Sequence, residues 1–376
     1  MSFLQYDYKI NVFYAMILKR VFKGSETMGT NIKDIQITDD KIFKIGIDKI
    51  SIYNFNFDIK TNKIKGTILE DEKMKKITIT GTDEFFKIIS TYYKDNKNKL
   101  KENNYNLITF NPNKILYNNN ILNATPRELN QALEKIENEL KENEININFE
   151  NAKIKEIEIN INIPVDFLEF KDTFRVLLRP LGKWQEINAI NQSEKIKEST
   201  ELESLFAKIN NSIVLRVYDK TKESEIDNPK ISRIEFSIKK EALNYYLEKL
   251  GKENNINTLL ENKDIIKNIF IERINKLFKQ SLKYIENKKK LLKNEYIAFK
   301  KTNRLAISHG RKAERGVYNY LEKFDIFDYN ILIDIIKETG TPNQWREIQI
   351  IKKKYSHLNN IEKLNYLIEY VNKAIK

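Results

Sequence analysis

The segment KIKEIEININI, residues 153–163, places Ile157, Ile159, Ile161 and Ile163 on one side and Glu156, Glu158, Asn160 and Asn162 on the other. Alternation of period two fits an extended chain, whose successive side chains point to opposite faces, and not a helix. Isoleucine, branched at Cβ, favours the same conformation. A strand with one apolar and one polar face belongs in an antiparallel sheet buried on one side and open on the other. The pattern recurs twice. In SIVLRVYDK (212–220), Val214, Arg216, Tyr218 and Lys220 oppose Ile213, Leu215, Val217 and Asp219. In ISRIEFSIK (231–239), Arg233, Glu235 and Ser237 oppose Ile234, Phe236 and Ile238. Residues 42–110 read as shorter strands, among them IGIDKISIYNFNFDI (45–59) and KITITGT (76–82), with Asn and Gly between them.

Helical signals surround these strands. Thr125 as N-cap, Pro126 at N1 and Glu128 at N3 form a capping box. Leu129, Leu133, Ile136 and Leu140 follow at helical spacing, and the helix ends near Glu142–Asn143. From Lys240 onward the pattern is helical: EALNYYLEKL, a long Lys-rich segment from about Asp264 to Lys300, a pair at 330–338 and 344–355 joined by TGTPNQ, and a last helix at 360–375. In the pair's connection, Thr341 serves as cap and Pro342 as N1. The expected fold is α+β: an antiparallel-rich sheet covered by helices on one face, followed by an all-helical, basic C-terminal region. At 376 residues the chain has room for two or three domains. The expected division is an extension at 1–40, a mixed domain at 41–250 and a helical domain at 251–376. No repeat of solenoid length occurs.

Composition narrows the chemistry. Hydrophobic residues make up 41% and charged residues 32%, which supplies a core and argues against general disorder. With no cysteine, disulfides, thiolate metal sites and thiol nucleophiles are excluded, and two histidines leave no room for a multi-His centre. The net charge is +13, in a chain whose excess of Lys, Asn and Ile has the look of an AT-rich coding sequence. The charge is nevertheless local: residues 262–315 carry 16 basic and 5 acidic side chains. Codon bias alone does not produce that clustering. No stretch of about 20 uncharged apolar residues spans a membrane. The apolar start contains Asp7, Lys9, Lys19 and Arg20 and lacks a signal-peptide layout, and Met28 offers a second start. The expected location is the cytoplasm.

The three alternating strands, if neighbours, set Glu158, Arg216, Tyr218, Lys220, Arg233 and Glu235 on one polar sheet face. Such a set suits phosphodiester chemistry. Carboxylates hold Mg²⁺ or Mn²⁺, Arg and Lys neutralise phosphate oxygens, and a tyrosine hydroxyl can form a covalent phosphotyrosyl link. Solvated charges on a half-open sheet give the same pattern without any catalysis. The basic segment also reads two ways. Arg304, Arg311, Lys312 and Arg315 around His309 and Gly310, with Tyr296, Phe299 and Tyr318 interleaved, suit contact with nucleic-acid phosphates, or they form a solvated helix. The 330–355 pair reads as a helix-turn-helix or as an ordinary helical hairpin.

The order of motifs resembles the rolling-circle replication initiators of plasmids and filamentous phages. That family runs from an Ile-Asp-Lys-hydrophobic strand through a capped helix to an Arg-Ile-Asp-Ile-Ala-Ile-Asp strand. A Tyr-Asp/Glu-Lys-x-x-Glu strand and an Arg-x-Glu strand follow. Here IDKISIY (47–53), the helix at 125–142, KEIEININI (155–163), RVYDKTKE (216–223) and SRIEFSIK (232–239) stand in that order, over roughly residues 42–245. The resemblance implies a nickase–ligase domain at 41–250 in which Tyr218 cuts one strand at an origin hairpin. The tyrosine stays on the 5′ phosphate and frees a 3′-hydroxyl as primer. Glu158, Glu235 and Glu223 match the family's acids and would carry Mg²⁺ or Mn²⁺. Lys220, Arg233 and Arg216 would assist at the tyrosine and the phosphate. Single-stranded and hairpin DNA, a second copy of the chain and a host helicase are the implied partners.

Two departures motivate an alternative. Glu156 stands where the family has arginine, and Asn162 replaces a later acid of the same strand. A catalytically inactive derivative that binds nucleic acid or protein, as a mobile-element regulator or an inhibitor of a host defence nuclease, would fit them. A helical structural protein with a β platform is a third reading. The Tyr245–Tyr246 pair competes as nucleophile, although Leu243 and Leu247 beside it read as packing.

Overall fold

The computed structural model describes residues 39–59, 66–71, 73–94, 100–150, 152–190, 198–225, 230–302, 328–339 and 343–375. The strands are β1 (Gly46–Tyr53), β2 (Asn56–Ile59), β3 (Gly66–Glu70), β4 (Met74–Thr80), β5 (Phe86–Lys94), β6 (Leu100–Phe110), β7 (Ile145–Asn148), β8 (Lys153–Ile163), β9 (Trp184–Ile190), β10 (Glu198–Asn210), β11 (Ile213–Asp219) and β12 (Ser232–Lys239). The helices are α1 (Asp39–Ile42), α2 (Pro112–Tyr117), α3 (Leu129–Glu142), α4 (Phe167–Leu178), α5 (Lys220–Glu223), α6 (Lys240–Lys249), α7 (Ile256–Glu261), α8 (Asp264–Thr302), α9 (Tyr329–Thr339), α10 (Gln344–Tyr355) and α11 (Asn360–Ile375).

Ten strands form one antiparallel sheet in the order β3-β4-β5-β6-β1-β8-β12-β11-β10-β9, while β2 and β7 pair separately. The three alternating strands are indeed adjacent, with Ile159 opposite Phe236 and Phe236 opposite Leu215. Their apolar side chains point one way and are fully buried. Each such isoleucine contributes roughly 1.5–3 kcal/mol by leaving water.

Helices cover this face. Phe270 of α8 meets Phe236 edge-on at 5.6 Å. The Ser281 hydroxyl of α8 donates to the Leu177 carbonyl of α4 at 2.9 Å, and Thr173 of α4 bonds Asn360 at the start of α11 at 3.0 Å. One hydrophobic core therefore runs from the sheet into the C-terminal helices. The mixed architecture and the C-terminal helical region expected from the sequence are present. Helix α4 and the β9–β10 hairpin were not expected. The helical start at 125 opens with a single 3-10 turn, in which the Thr125 N–H and hydroxyl both donate to Glu128 Oε2, at 3.0 and 2.8 Å.

The sheet's other face is polar. The segment between β6 and α3 closes one end of it. Gly46 makes this approach possible, because a Cβ there would lie 2.5 Å from Asn123 Cβ. Asn123 in turn donates to the Ile42 and Lys44 carbonyls at 3.2 and 2.7 Å, which ties the segment to the start of β1.

Candidate metal and phosphodiester site

At the centre of the polar face three carboxylates converge. Asp48, Glu158 and Glu235 each place an oxygen within 4.8 Å of the other two. Glu158 and Glu235 arrive by plain alternation on β8 and β12. Asp48 arrives by a β-bulge. Ile47 pairs with Ile159 and Ile50 with Ile157, so Asp48 and Lys49 together stand opposite the single residue Glu158. A bulge of this kind re-aims a side chain, here turning both Asp48 and Lys49 onto the polar face. In the sequence its trace is a slip in the apolar spacing: Ile45 and Ile47 are followed by Ile50 and Ile52. The IDK motif was legible, but the role of its aspartate was not.

Asn160 lies between Glu158 and Asn162 on β8 and opposite Glu235 on β12. It is fully buried, and both its side-chain Oδ1 and Nδ2 lack a hydrogen-bond partner. An orphaned buried amide costs roughly 1–3 kcal/mol. The donor set is all oxygen, the choice of Mg²⁺ and Mn²⁺. At metal–oxygen distances of about 2.1 Å, ligand oxygens on one ion lie roughly 3–4 Å apart; those here lie within 4.8 Å of one another. The residues fit a divalent cation.

Cations surround the acids. Arg233, fully buried, donates from Nη1 to Asp48 Oδ1 at 2.7 Å, from Nε to Asn162 Oδ1 at 2.8 Å and from Nη2 to the Asn120 carbonyl at 3.0 Å. Lys49 Nζ pairs with Glu158 Oε1 at 2.9 Å, and Arg216 Nη1 lies 3.8 Å from Glu235 Oε1. Burial alone would raise the Asp48 carboxyl, but Arg233 and Lys220 outweigh it and hold it below the usual range. Glu158 is raised, by burial first and then by Asp48 and Glu156, against the pull of Lys49. Glu235 is pushed up to about 7 by burial and by the charges of Asp48 and Glu158. The cluster thus holds more negative charge than it comfortably ionises, which an added cation would relieve.

The Tyr218 hydroxyl donates to Glu235 Oε2 at 3.2 Å. Burial, and then the carboxylates Glu235, Asp48 and Glu223, hold this phenol well above its ordinary value despite Arg233. Lys220 is fully buried and stands 5.9 Å from the centroid of the Tyr218 ring. Burial and Arg233 bring its ammonium down to about 8.

Glu223 stands elsewhere. The strand ends at Asp219, whose carboxylate caps the short helix α5 by accepting from the Lys222 N–H at 2.9 Å. Glu223 therefore bonds Lys220 and the Asn120 amide, the latter at 2.9 Å. Among the described residues the acid group that could hold an ion is Asp48, Glu158 and Glu235, and Glu223 is not part of it.

The two departures from the family pattern have local explanations. The Asn162 amide donates to the Ile42 and Ile121 carbonyls at 2.8 and 3.0 Å, which a carboxylate cannot do. Glu156 accepts from the Ser237 hydroxyl at 2.5 Å. Tyr246 is buried on α6 with Arg273 over its ring at 4.8 Å, and Tyr245 is exposed beneath Lys249 at 4.4 Å; neither is part of the acid cluster. Arg304, Arg311, Lys312 and Arg315, with His309, Gly310 and Tyr318, lie outside the described residues. No described helix is long and apolar enough to cross a membrane.

No family model matches the chain, and no curated protein matches it. Among solved structures, the chain is similar to a rolling-circle replication initiator protein from Geobacillus stearothermophilus, at 10% identity and a TM-score of 0.31, over 58% of this chain and 80% of that one.

Proposed function

We propose that this protein is a metal-dependent DNA strand nickase and ligase of the rolling-circle replication type, with Tyr218 as nucleophile. One observation carries the reading: a tyrosine hydroxyl hydrogen-bonded to a largely buried three-carboxylate cluster. Asp48, Glu158 and Glu235 would hold Mg²⁺ or Mn²⁺. Such an ion supplies Lewis-acid polarisation of the phosphate and lowers the cost of ionising a nearby hydroxyl.

The chain's own groups have the following roles. Arg216, about half exposed at the edge of the cluster, meets the phosphate oxygens. Tyr218 Oη attacks phosphorus, its proton leaves along the hydrogen bond to Glu235, and the bond to the 3′ oxygen breaks. The 5′ phosphate remains on the tyrosine, and the departing 3′ oxygen takes a proton from water and leaves as the 3′-hydroxyl. Rejoining reverses these steps. Arg233 and Lys220 place positive charge behind the ring, where phenolate character develops. Asn162 and Glu156 do not weaken this reading, since both are engaged in holding the sheet and its closing segment together.

The test is a denaturing gel of the full chain with labelled single-stranded and hairpin oligonucleotides from the DNA flanking its own gene, with Mn²⁺, Mg²⁺ or EDTA. A covalent adduct is expected with metal only, and Tyr218→Phe abolishes it. An adduct that persists in Tyr218→Phe, or none under any metal, refutes the proposal.

A further inference from the structure

We propose that Lys49 is the internal counter-ion of the acid cluster: its ammonium holds Glu158 in the metal-free chain and must give up that carboxylate when a divalent cation loads. The proposal rests on the metal site proposed above and adds to it a threshold for loading.

The three carboxylates are held in different ways. Asp48 Oδ1 accepts from Arg233 at 2.7 Å and from the Asn113 amide at 3.0 Å. Both donors are fully buried. Arg233 is also bonded to Asn162, Asn123 and the Asn120 carbonyl, so it cannot leave without stranding several acceptors. Glu235 Oε2 accepts from Tyr218, and Arg216 stands off from its other oxygen at 3.8 Å, beyond hydrogen-bond distance. Glu158 is held by a looser partner. Lys49 Nζ meets its Oε1 at 2.9 Å, from the position directly opposite across β1 and β8.

Lys49 is placed to let go. Its side chain is 39% exposed, while that of Glu158 is 9% exposed. Among the described residues, the bond to Glu158 is the one side-chain hydrogen bond Lys49 makes. A lysine head on a flexible four-carbon stem turns into water at little cost, unlike a buried guanidinium. The carboxylate cannot follow it there, and a nearly buried acid left unpaired beside Asp48 and Glu235 is strongly disfavoured. Glu158 therefore keeps a positive partner in either state, the ammonium or the ion. Like charge keeps the two from sharing it. The bulge in β1 sets this competition, because Asp48, an ion ligand, and Lys49, the ion's rival, are consecutive residues turned to one face. Without metal the acids stay compensated, and the site loads only at a cation concentration high enough to displace Lys49.

The test is Mn²⁺ binding to the full chain without nucleic acid, read from the electron paramagnetic resonance signal of the free ion. The salt is 0.15 M, where distant charges are screened. Lys49→Met is expected to tighten binding at least about fivefold, the scale of one charged hydrogen bond. Lys49→Arg, which keeps a cation on Glu158, does not tighten it. Arg216→Met removes an equal charge that is not hydrogen-bonded to the acids, and its gain is less than half as large. Urea unfolding gives a second readout: Lys49→Met has a lower midpoint than the parent in EDTA, and saturating Mn²⁺ removes the difference. A purely structural role for the lysine stem would leave that difference in place. Parental Mn²⁺ affinity in Lys49→Met, equal tightening in Arg216→Met, or a midpoint difference that survives Mn²⁺ overturns the proposal and leaves the metal site standing. If neither the parent nor Lys49→Met binds Mn²⁺, the metal site falls and the proposal with it. Tightened binding in a chain that nicks no DNA upholds the proposal and removes the nickase reading.

Discussion

Arg233→Met tests the electrostatic frame of the site. The guanidinium is fully buried and reaches Asp48, Asn162, Asn123 and the Asn120 carbonyl. Methionine fills much of the same volume but offers no donors. Removing the guanidinium leaves the Asp48 carboxylate in a poorly solvated place beside Glu158 and Glu235, with the Lys220 ammonium alone to offset it. Breaking a buried ion pair from one side costs about 3–5 kcal/mol. The abandoned acceptors on Asn162, Asn123 and Asn120 add to that, so a loss of about 4 kcal/mol or more is expected. Urea unfolding in EDTA at pH 7.5 measures it as a lowered midpoint with an unchanged slope. Asp48→Asn on the Arg233→Met background should recover part of the loss, because the stranded charge goes with it. A cost below about 1 kcal/mol, or a double variant no more stable than Arg233→Met, would refute the assigned pairing.

Two further outcomes follow from the geometry. Gly46→Ala drives a Cβ into Asn123, a contact of Arg233, and should cost about 1–3 kcal/mol in the same unfolding assay; parental stability would contradict it. The Glu235 carboxyl is raised from its ordinary value to about 7, so the folded state holds its proton where the unfolded state has lost it. The stability this group contributes therefore falls as pH rises from about 4.5 to about 7. The stability of Glu235→Gln relative to the parent, in EDTA, should rise across that window, and a flat difference would exclude the raised value.

Much of the sheet was legible because alternation is a local signal. The segments 153–163, 212–220 and 231–239 form strands within a residue or two of their expected bounds, and they are neighbours. The capped helix was legible through Thr125, Pro126 and Glu128 for the same reason. The insertion of β1 between β6 and β8 was not, since pairing between distant segments leaves no periodic mark. Glu223 was expected with the acids because it follows the tyrosine motif closely. The Asp219 cap ends the strand before it and turns the chain away. Asp48 was missed for the opposite reason: two residues occupy one position of the ladder there, so counting by twos assigns the wrong face to everything on one side of the slip.

That slip is also a portable mark. Identity fades between distant chains far sooner than the number of residues between two buried positions does. A chain of this architecture that keeps the acid on its central strand needs two residues between the flanking apolar positions, as in Ile47-Asp48-Lys49-Ile50. A chain with one residue there has an uninterrupted ladder and a single side chain where this one has two. Counting that interval sorts sequences by whether the third carboxylate has anywhere to stand, even where no alignment survives.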